Sequence, residues 1–159
     1  MAEKSIQLNV NGKRIIASVE PRLTLADFLR ERLNLTGTHI GCEHGVCGAC
    51  TILAAEGESP VQAIRACLMF AIQADGLNLT TVEGLGQGEE LNPLQRAFQR
   101  HHALQCGFCT GGMLATATAL LAANPHPSAD EVREAISGNV CRCTGYIPIV
   151  EAILDVANK

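Results

Sequence analysis

The chain has 159 residues, a formal net charge of −4 and eight cysteines, a length that fits one domain or two small ones. Hydrophobic residues make up 47% and charged residues only 18%, a globular composition whose light charge hints that a partner covers part of the surface. Mild acidity argues against the basic stripe of a nucleic-acid binder. No run approaches the ~18 apolar residues of a membrane span, since Met113–Ala123 is short and carries two threonines. The amino-terminal stretch MAEKSIQLNV lacks the apolar core of a secretory signal, so a cytoplasmic location is expected. In a reducing compartment the cysteines form a metal inventory rather than a disulfide framework.

Along the chain, residues 5–19 alternate in polarity and are split by Asn11-Gly12, a strong short-range hairpin signal. Ile6, Leu8 and Val10 are predicted on one face before the turn, and Ile15, Ala17 and Val19 after it. Thr24 with Asp27 opens a short helix carrying Leu25, Phe28 and Leu29 through a capping box. Strand-like pieces follow at Thr51–Ala54 and Leu77–Val82. The segment 84–90 (GLGQGEE) is the best linker, and everything beyond it is predicted helical. Asn92, Pro93 and Gln95 start one helix. Met113, Leu114, Ala117, Leu120 and Leu121 follow the helical period until Pro125. Ser128 and Glu131 box the next helix, and Pro148 opens a last one lined by Ile149, Val150, Ile153, Leu154 and Ala157. Four short helices with short connections suggest a small bundle. The expected division is 1–82 and 83–159.

The cysteines sort by half. Cys42, Cys47, Cys50 and Cys67 have the spacing C-x4-C-x2-C…C, the plant-type [2Fe–2S] pattern. An anionic cluster needs N–H donors around it, and Gly41, Gly45 and Gly48 allow positive φ and close backbone approach. Structural zinc favours two CxxC-type pairs, and only Cys47–Cys50 is one here; zinc and inert buried thiols are the competing readings. A Rieske centre is excluded, because no histidine stands three residues after a cysteine to complete the half-motif Cys42-Glu43-His44. The second set, Cys106, Cys109, Cys141 and Cys143, is C-x2-C…C-x-C. Cys106 and Cys109 sit three apart where a helix begins, and the positive end of a helix suits an anion. Gly138 and Gly145 free the backbone around Cys141 and Cys143. Spacing alone leaves zinc open at this second set. A thioredoxin-like role for Cys106–Cys109 lacks its βαβ setting.

The stretch from Gly37 to Thr51 (GTHIGCEHGVCGACT), with Arg65-Ala66-Cys67-Leu68, resembles the ferredoxin-type half of the molybdenum hydroxylases, the xanthine oxidase family. Gln105-Cys106-Gly107-Phe108-Cys109-Thr110 and the stretch Asn139 to Tyr146 (NVCRCTGY) resemble that family's second cluster half. The resemblance spans roughly residues 5–157 and extends to the separate small subunits of carbon monoxide, nicotine and isoquinoline dehydrogenases and of 4-hydroxybenzoyl-CoA reductase. It implies an α+β chain: a β-grasp ferredoxin domain followed by an all-α four-helix bundle, each holding one [2Fe–2S] cluster. It further implies a large molybdopterin-binding partner subunit and an FAD-binding medium subunit, in a heterotrimer or a dimer of heterotrimers. Electrons would run from molybdenum through the second cysteine set, then the first, to FAD or another acceptor. Gln105 and Cys143 match the family positions that hydrogen-bond the pterin. Two departures stand out. Gly111-Gly112 replaces a common proline, implying a looser start to that helix, and His39 stands where many relatives carry lysine.

His39 and His44 are otherwise expected as solvated loop residues, and His101 and His102 as surface residues at a helix end. Arg142, between two cysteines, would tune cluster charge, bridge to a partner's cofactor phosphates, or simply face solvent. No acid–base or nucleophile constellation appears, so no catalytic residue is expected on this chain. The rival readings are a free-standing two-cluster ferredoxin and a structural zinc scaffold. Low charge disfavours the first, since a shuttle usually docks through a strongly charged face.

Overall fold

The computed structural model describes residues 2–88 and 90–158; Glu89 of the expected linker lies outside the described residues. The hairpin forms as anticipated. Strands β1 (Lys4–Val10) and β2 (Lys13–Val19) pair antiparallel with Val10 opposite Lys13. Asn11 and Gly12 take φ of 50° and 76°, the left-handed pair that a two-residue turn demands. Ile6, Leu8, Val10 and Val19 are buried, while Ile15 and Ala17 are half-buried against the same core.

Helix α1 (Leu25–Asp27) runs directly into a π-helical turn, Phe28–Arg32. Its capping box is only half made. The Thr24 hydroxyl accepts from the Asp27 amide at 3.0 Å, but the Asp27 carboxylate takes the Thr24 hydroxyl proton at 2.6 Å instead of the Thr24 amide. Leu25, Phe28 and Leu29 are fully buried in the first core.

Strands β3 (Thr51–Glu56), β4 (Gln62–Arg65) and β5 (Leu77–Thr80) complete a mixed sheet of order β2-β1-β5-β3-β4, parallel only between β1 and β5. Strand β4 was not anticipated. It is a short edge strand with polar residues at both ends, and its pairing to β3 rather than its own pattern makes it a strand. The expected strand at Leu77–Val82 stops at Thr80, because Val82–Gly84 closes a 3₁₀ turn with the Gly84 amide on the Thr81 carbonyl.

The second half holds α2 (Pro93–Arg100), α3 (Thr110–Ala123), α4 (Ala129–Ile136) and α5 (Ile147–Ala157). The Asn92/Gln95 and Ser128/Glu131 boxes are both complete, each contributing about 1 kcal/mol. A second core gathers Leu94, Phe98, Met113, Val132, Ile149 and Ile153. Val82 and Leu85 already pack against this core from the preceding segment. Among the described residues no helix is long and apolar enough to cross a membrane.

Helix α3 carries buried residues from Gly112 through Ala117, because it packs on α4 and α2 and also on β3 of the first half. The doublet Gly111-Gly112 therefore has a different meaning from a loosened helix start. A Cβ on Gly112 would collide with the Gly48 carbonyl oxygen, and one on Gly111 would lie 3.0 Å from the Gly37 carbonyl oxygen. The missing side chains let two backbones touch. Gly112→Ala is consequently expected to destabilise the chain by about 1–3 kcal/mol through overpacking, despite a helix propensity gain of roughly 1 kcal/mol. Urea unfolding measures this, and a stabilised variant would contradict the close contact.

Candidate functional site

The first cysteine set is built on the loop between the π-helical turn and β3. Gly45 and Gly48 adopt φ of 84° and 71°, and Glu43 joins them at 57°, a residue the sequence did not single out. Gly41 does not need positive φ. Its role is proximity, since a Cβ there would lie 3.1 Å from the Cys47 sulfur and 3.3 Å from the Phe108 ring. The Cys47 amide points at the Cys42 sulfur, 3.4 Å away. That hydrogen bond, joined by those from the His44 and Val46 amides, holds the Cys42 thiol down at about 6. Cys67 arrives from the far end of β4 and meets Cys50, whose burial pushes its thiol up to about 11. The charges of neighbouring Cys67 and Cys47 add to that rise.

The second set straddles the start of α3 and the segment before α5. The Cys106 and Cys143 sulfurs lie 3.6 Å apart on the exposed side. Cys109 and Cys141 face each other on the buried side. Burial pushes the Cys109 thiol up to about 12, with Cys141 and Cys106 reinforcing it. At Cys141 burial also opposes charge, but the Thr144 hydroxyl at 3.1 Å and the amides of Cys143 and Thr144 outweigh it and lower the thiol below its ordinary value. The Cys141 amide donates to the hydroxyl of Tyr146 at 2.9 Å, and Tyr146 itself takes a left-handed φ of 69° to turn the chain into α5. Gln105 lies beside this set, its side-chain amide donating to the Cys143 carbonyl at 3.0 Å.

The two sets share one seam. A cavity of about 300 Å³ is lined by all four cysteines of the second set together with Gly41, Cys47 and Phe108. His39 is not a freely solvated residue. Its ring stacks on Phe108 with centroids 4.8 Å apart, and its Nδ1 lies 2.8 Å from the Phe108 carbonyl. His44 is exposed and bonds the Cys42 carbonyl. His101 is half-buried beside Asp155, 3.3 Å away, and Arg142 is exposed.

Residues 8–71 match the 2Fe-2S iron-sulfur cluster binding domain, and residues 81–154 match the [2Fe-2S] binding domain. The nicotine 6-hydroxylase small subunit of Paenarthrobacter nicotinovorans is 59% identical over 154 residues, covering 97% of this chain and 90% of that protein. The chain belongs to the family of small iron–sulfur subunits of the molybdenum hydroxylases. Caffeine dehydrogenase subunit gamma of Pseudomonas sp. (strain CBB1) is 52% identical, covering 99% of this chain and 93% of that one. Quinoline 2-oxidoreductase from Pseudomonas putida 86 superposes with a TM-score of 0.91 at 58% identity, over 99% of this small subunit and 94% of that chain. Aldehyde oxidoreductase from Desulfovibrio gigas gives 0.90 at 41%, where the small subunit corresponds to 17% of a much longer chain.

As a member of that family, the small subunit takes two [2Fe–2S] clusters and transfers electrons. Its donor set fits them. A two-iron core needs two thiolates at each iron, and the thiols stand as neighbours, Cys106 with Cys143 and Cys109 with Cys141. The Thr110 hydroxyl, buried next to Cys109, has no hydrogen-bond partner within the described protein, a donor suited to an anion beside it. Sequence reasoning quoted Arg65, Thr144, Asn139 and Tyr146 without assigning them roles; only the fold shows what they contact.

The thiol acidities set an order of reactivity. In apo small subunit at pH 7, Cys42 should be mostly thiolate, against a few per cent for an ordinary cysteine. Iodoacetamide followed by mass spectrometry should label Cys42 first and Cys50 and Cys109 last, with Cys42 labelling rising as pH passes upward through about 6. Equal labelling of the three would contradict the backbone donors at Cys42.

Proposed function

We propose that this chain is the electron relay of a multi-subunit molybdenum hydroxylase, with one [2Fe–2S] cluster on Cys42, Cys47, Cys50 and Cys67 and the other on Cys106, Cys109, Cys141 and Cys143. The observation that carries the reading is the pairing of the two four-cysteine sets across one seam, with Cys106 and Cys143 opening outward beside Gln105. Residues 1–82 form the β-grasp ferredoxin domain, and residues 83–159 the four-helix-bundle domain. When bound, each cluster stores one electron. The chain's own contribution is to hold the thiolates, supply N–H and O–H donors to them, and exclude water from Cys50, Cys109 and Cys141.

Gln105 and Cys143 provide the contact to a molybdopterin on a large partner subunit. Leu104, Phe108, Val140 and Ile147 are exposed apolar residues, and Phe108 and Val140 line the same cavity as the second cysteine set. Such a surface supports coverage by a partner rather than life as a free carrier. Electrons leave from the first set toward FAD on a medium subunit or toward another acceptor, within a cytoplasmic heterotrimer or dimer of heterotrimers. The substrate chemistry belongs to the large subunit.

Purified full-length protein is expected to hold two irons and two acid-labile sulfides per cluster and to give two distinct EPR signals on reduction. A colourless zinc protein would end the proposal. Cys50→Ser should remove the signal of the first set and leave that of the second, whereas simultaneous loss of both would contradict the two-domain division. Gln105→Ala should retain both signals yet slow electron entry in the assembled complex; unchanged turnover would remove Gln105 from the site.

A further inference from the structure

Strand β4 ends on Arg65, directly opposite Thr51 in the β3–β4 pair, so both side chains leave the same face of the sheet. The chain then tightens into the 3₁₀ turn Ala66–Leu68, which carries Cys67, and the Ala66 amide donates to the Cys50 carbonyl at 3.2 Å. Arg65 is thereby tied to the Cys50 and Cys67 side of the first set. It precedes Cys67 by two residues, and its partner Thr51 follows Cys50. Arg65 is half-buried. Its Nη1 donates to the Thr51 hydroxyl at 2.6 Å and its Nη2 to the Gly138 carbonyl at 2.7 Å. Thr51 is buried and donates in turn to the Gly48 carbonyl at 2.6 Å. The neutral amide of Asn139 reaches the same hydroxyl at 3.4 Å, so of these two donors only Arg65 brings a charge. Gly138 makes room for it, because a Cβ there would lie 2.6 Å from Nη2. Gly138 also stands just beyond the end of α4 at Ile136, where the negative pole of a helix favours a cation.

We propose that Arg65 sets the reduction potential of the first cluster, its positive charge making that cluster easier to reduce relative to the second. This rests on the relay function proposed above. Four thiolates around a two-iron core leave an anion, and reduction adds one electron to it without forming or breaking a bond. A nearby cation therefore stabilises the reduced form more than the oxidised one, and a half-buried cation is screened less by salt than an exposed one. The effect is unequal between the sets. On the first, Arg65 is anchored to residues adjoining two ligands, Cys50 and Cys67; on the second, its contact Gly138 stands three residues before Cys141. Arg65 donates to oxygens in both contacts, so it acts on the cluster through its charge and not as a ligand.

Redox titration followed by EPR tests this on full-length protein carrying both clusters, the first cluster being the signal that Cys50→Ser removes. Arg65→Met, Arg65→Gln and Arg65→Lys are compared with wild type, and iron and sulfide content should match in all. In the two neutral variants the oxidised-to-reduced ratio of the first cluster at a fixed potential should rise about tenfold, a midpoint ~59 mV more negative for one electron. The second cluster should move less in the same direction. Arg65→Lys should recover most of the first midpoint, although it loses the two-pronged contact. A role in packing alone would make Arg65→Lys shift as far as the neutral variants, or leave every midpoint in place, and either result overturns the proposal. A larger shift at the second cluster overturns it as well. If the neutral variants fail to assemble, Gly138→Ala pushes the guanidinium off its carbonyl while keeping the charge on the chain. The first midpoint should then fall by a smaller amount, and an unchanged one defeats the assignment. A wild-type chain with one cluster, or with zinc, defeats the proposed relay function itself, independently of the variants.

Discussion

A loop that wraps an anionic group must turn its amide hydrogens inward, and its carbonyl oxygens are then left facing out. Here the amides of His44, Val46 and Cys47 are spent on the Cys42 sulfur, and the carbonyls of Cys47 and Gly48 emerge on the side covered by the helical half. A buried carbonyl without a donor costs about 1–3 kcal/mol. The second half answers with the Val140 amide on Cys47, while at Gly48 the Asn139 side chain joins the amide and hydroxyl of Thr51, which already donate to that carbonyl. The demand for donors at one cysteine set thus dictates where the other half docks. It also explains why glycine stands at 48, 112 and 138, where each Cβ would strike an atom of the opposing half.

The same arrangement produces a gradient of environments across the thiols. Cys42 sits among backbone donors and is acidified, while Cys50 and Cys109, deeper in each core, are pushed up by burial. Desolvation raises a thiol and hydrogen bonds lower it; at Cys141 both act, and the Thr144 hydroxyl tips the balance toward the anion. Cys106 and Cys143 remain on the outer edge, next to Gln105 and the exposed apolar residues. The low charge content of the chain acquires a physical setting here, since the outward face of the second set carries exposed Leu104, Phe108, Val140 and Ile147 beside the charged Arg142.

Local signals in the chain proved trustworthy where the structure they specify is itself local. Asn11-Gly12 makes its turn with its own two residues, and the Asn92 and Ser128 boxes close within four. Features that depend on a neighbour were invisible. Strand β4 exists because β3 pairs with it; the Thr24–Asp27 box is the local exception, its carboxylate taking the Thr24 hydroxyl proton instead of the Thr24 amide. His39 looked solvent-facing because the ring it stacks on lies sixty-nine residues away. Gly111-Gly112 looked like weakness for the same reason, the colliding carbonyls being at residues 37 and 48.

The partition of the eight cysteines into four and four was legible in the sequence alone, because each half carries its own set; spacing left zinc open, and the two matching [2Fe–2S] domains supply the choice of iron. Which half faces which, and through what atoms, was not legible there. Asn139 and Arg65 are unremarkable letters in two separate motifs until the tertiary fold sets them against the same threonine, Thr51. Hydrogen-bond partners seventy to ninety residues apart leave no periodic trace in a chain. Only the folded backbone, with glycines allowing the two halves to touch, brings the two cysteine sets to one seam.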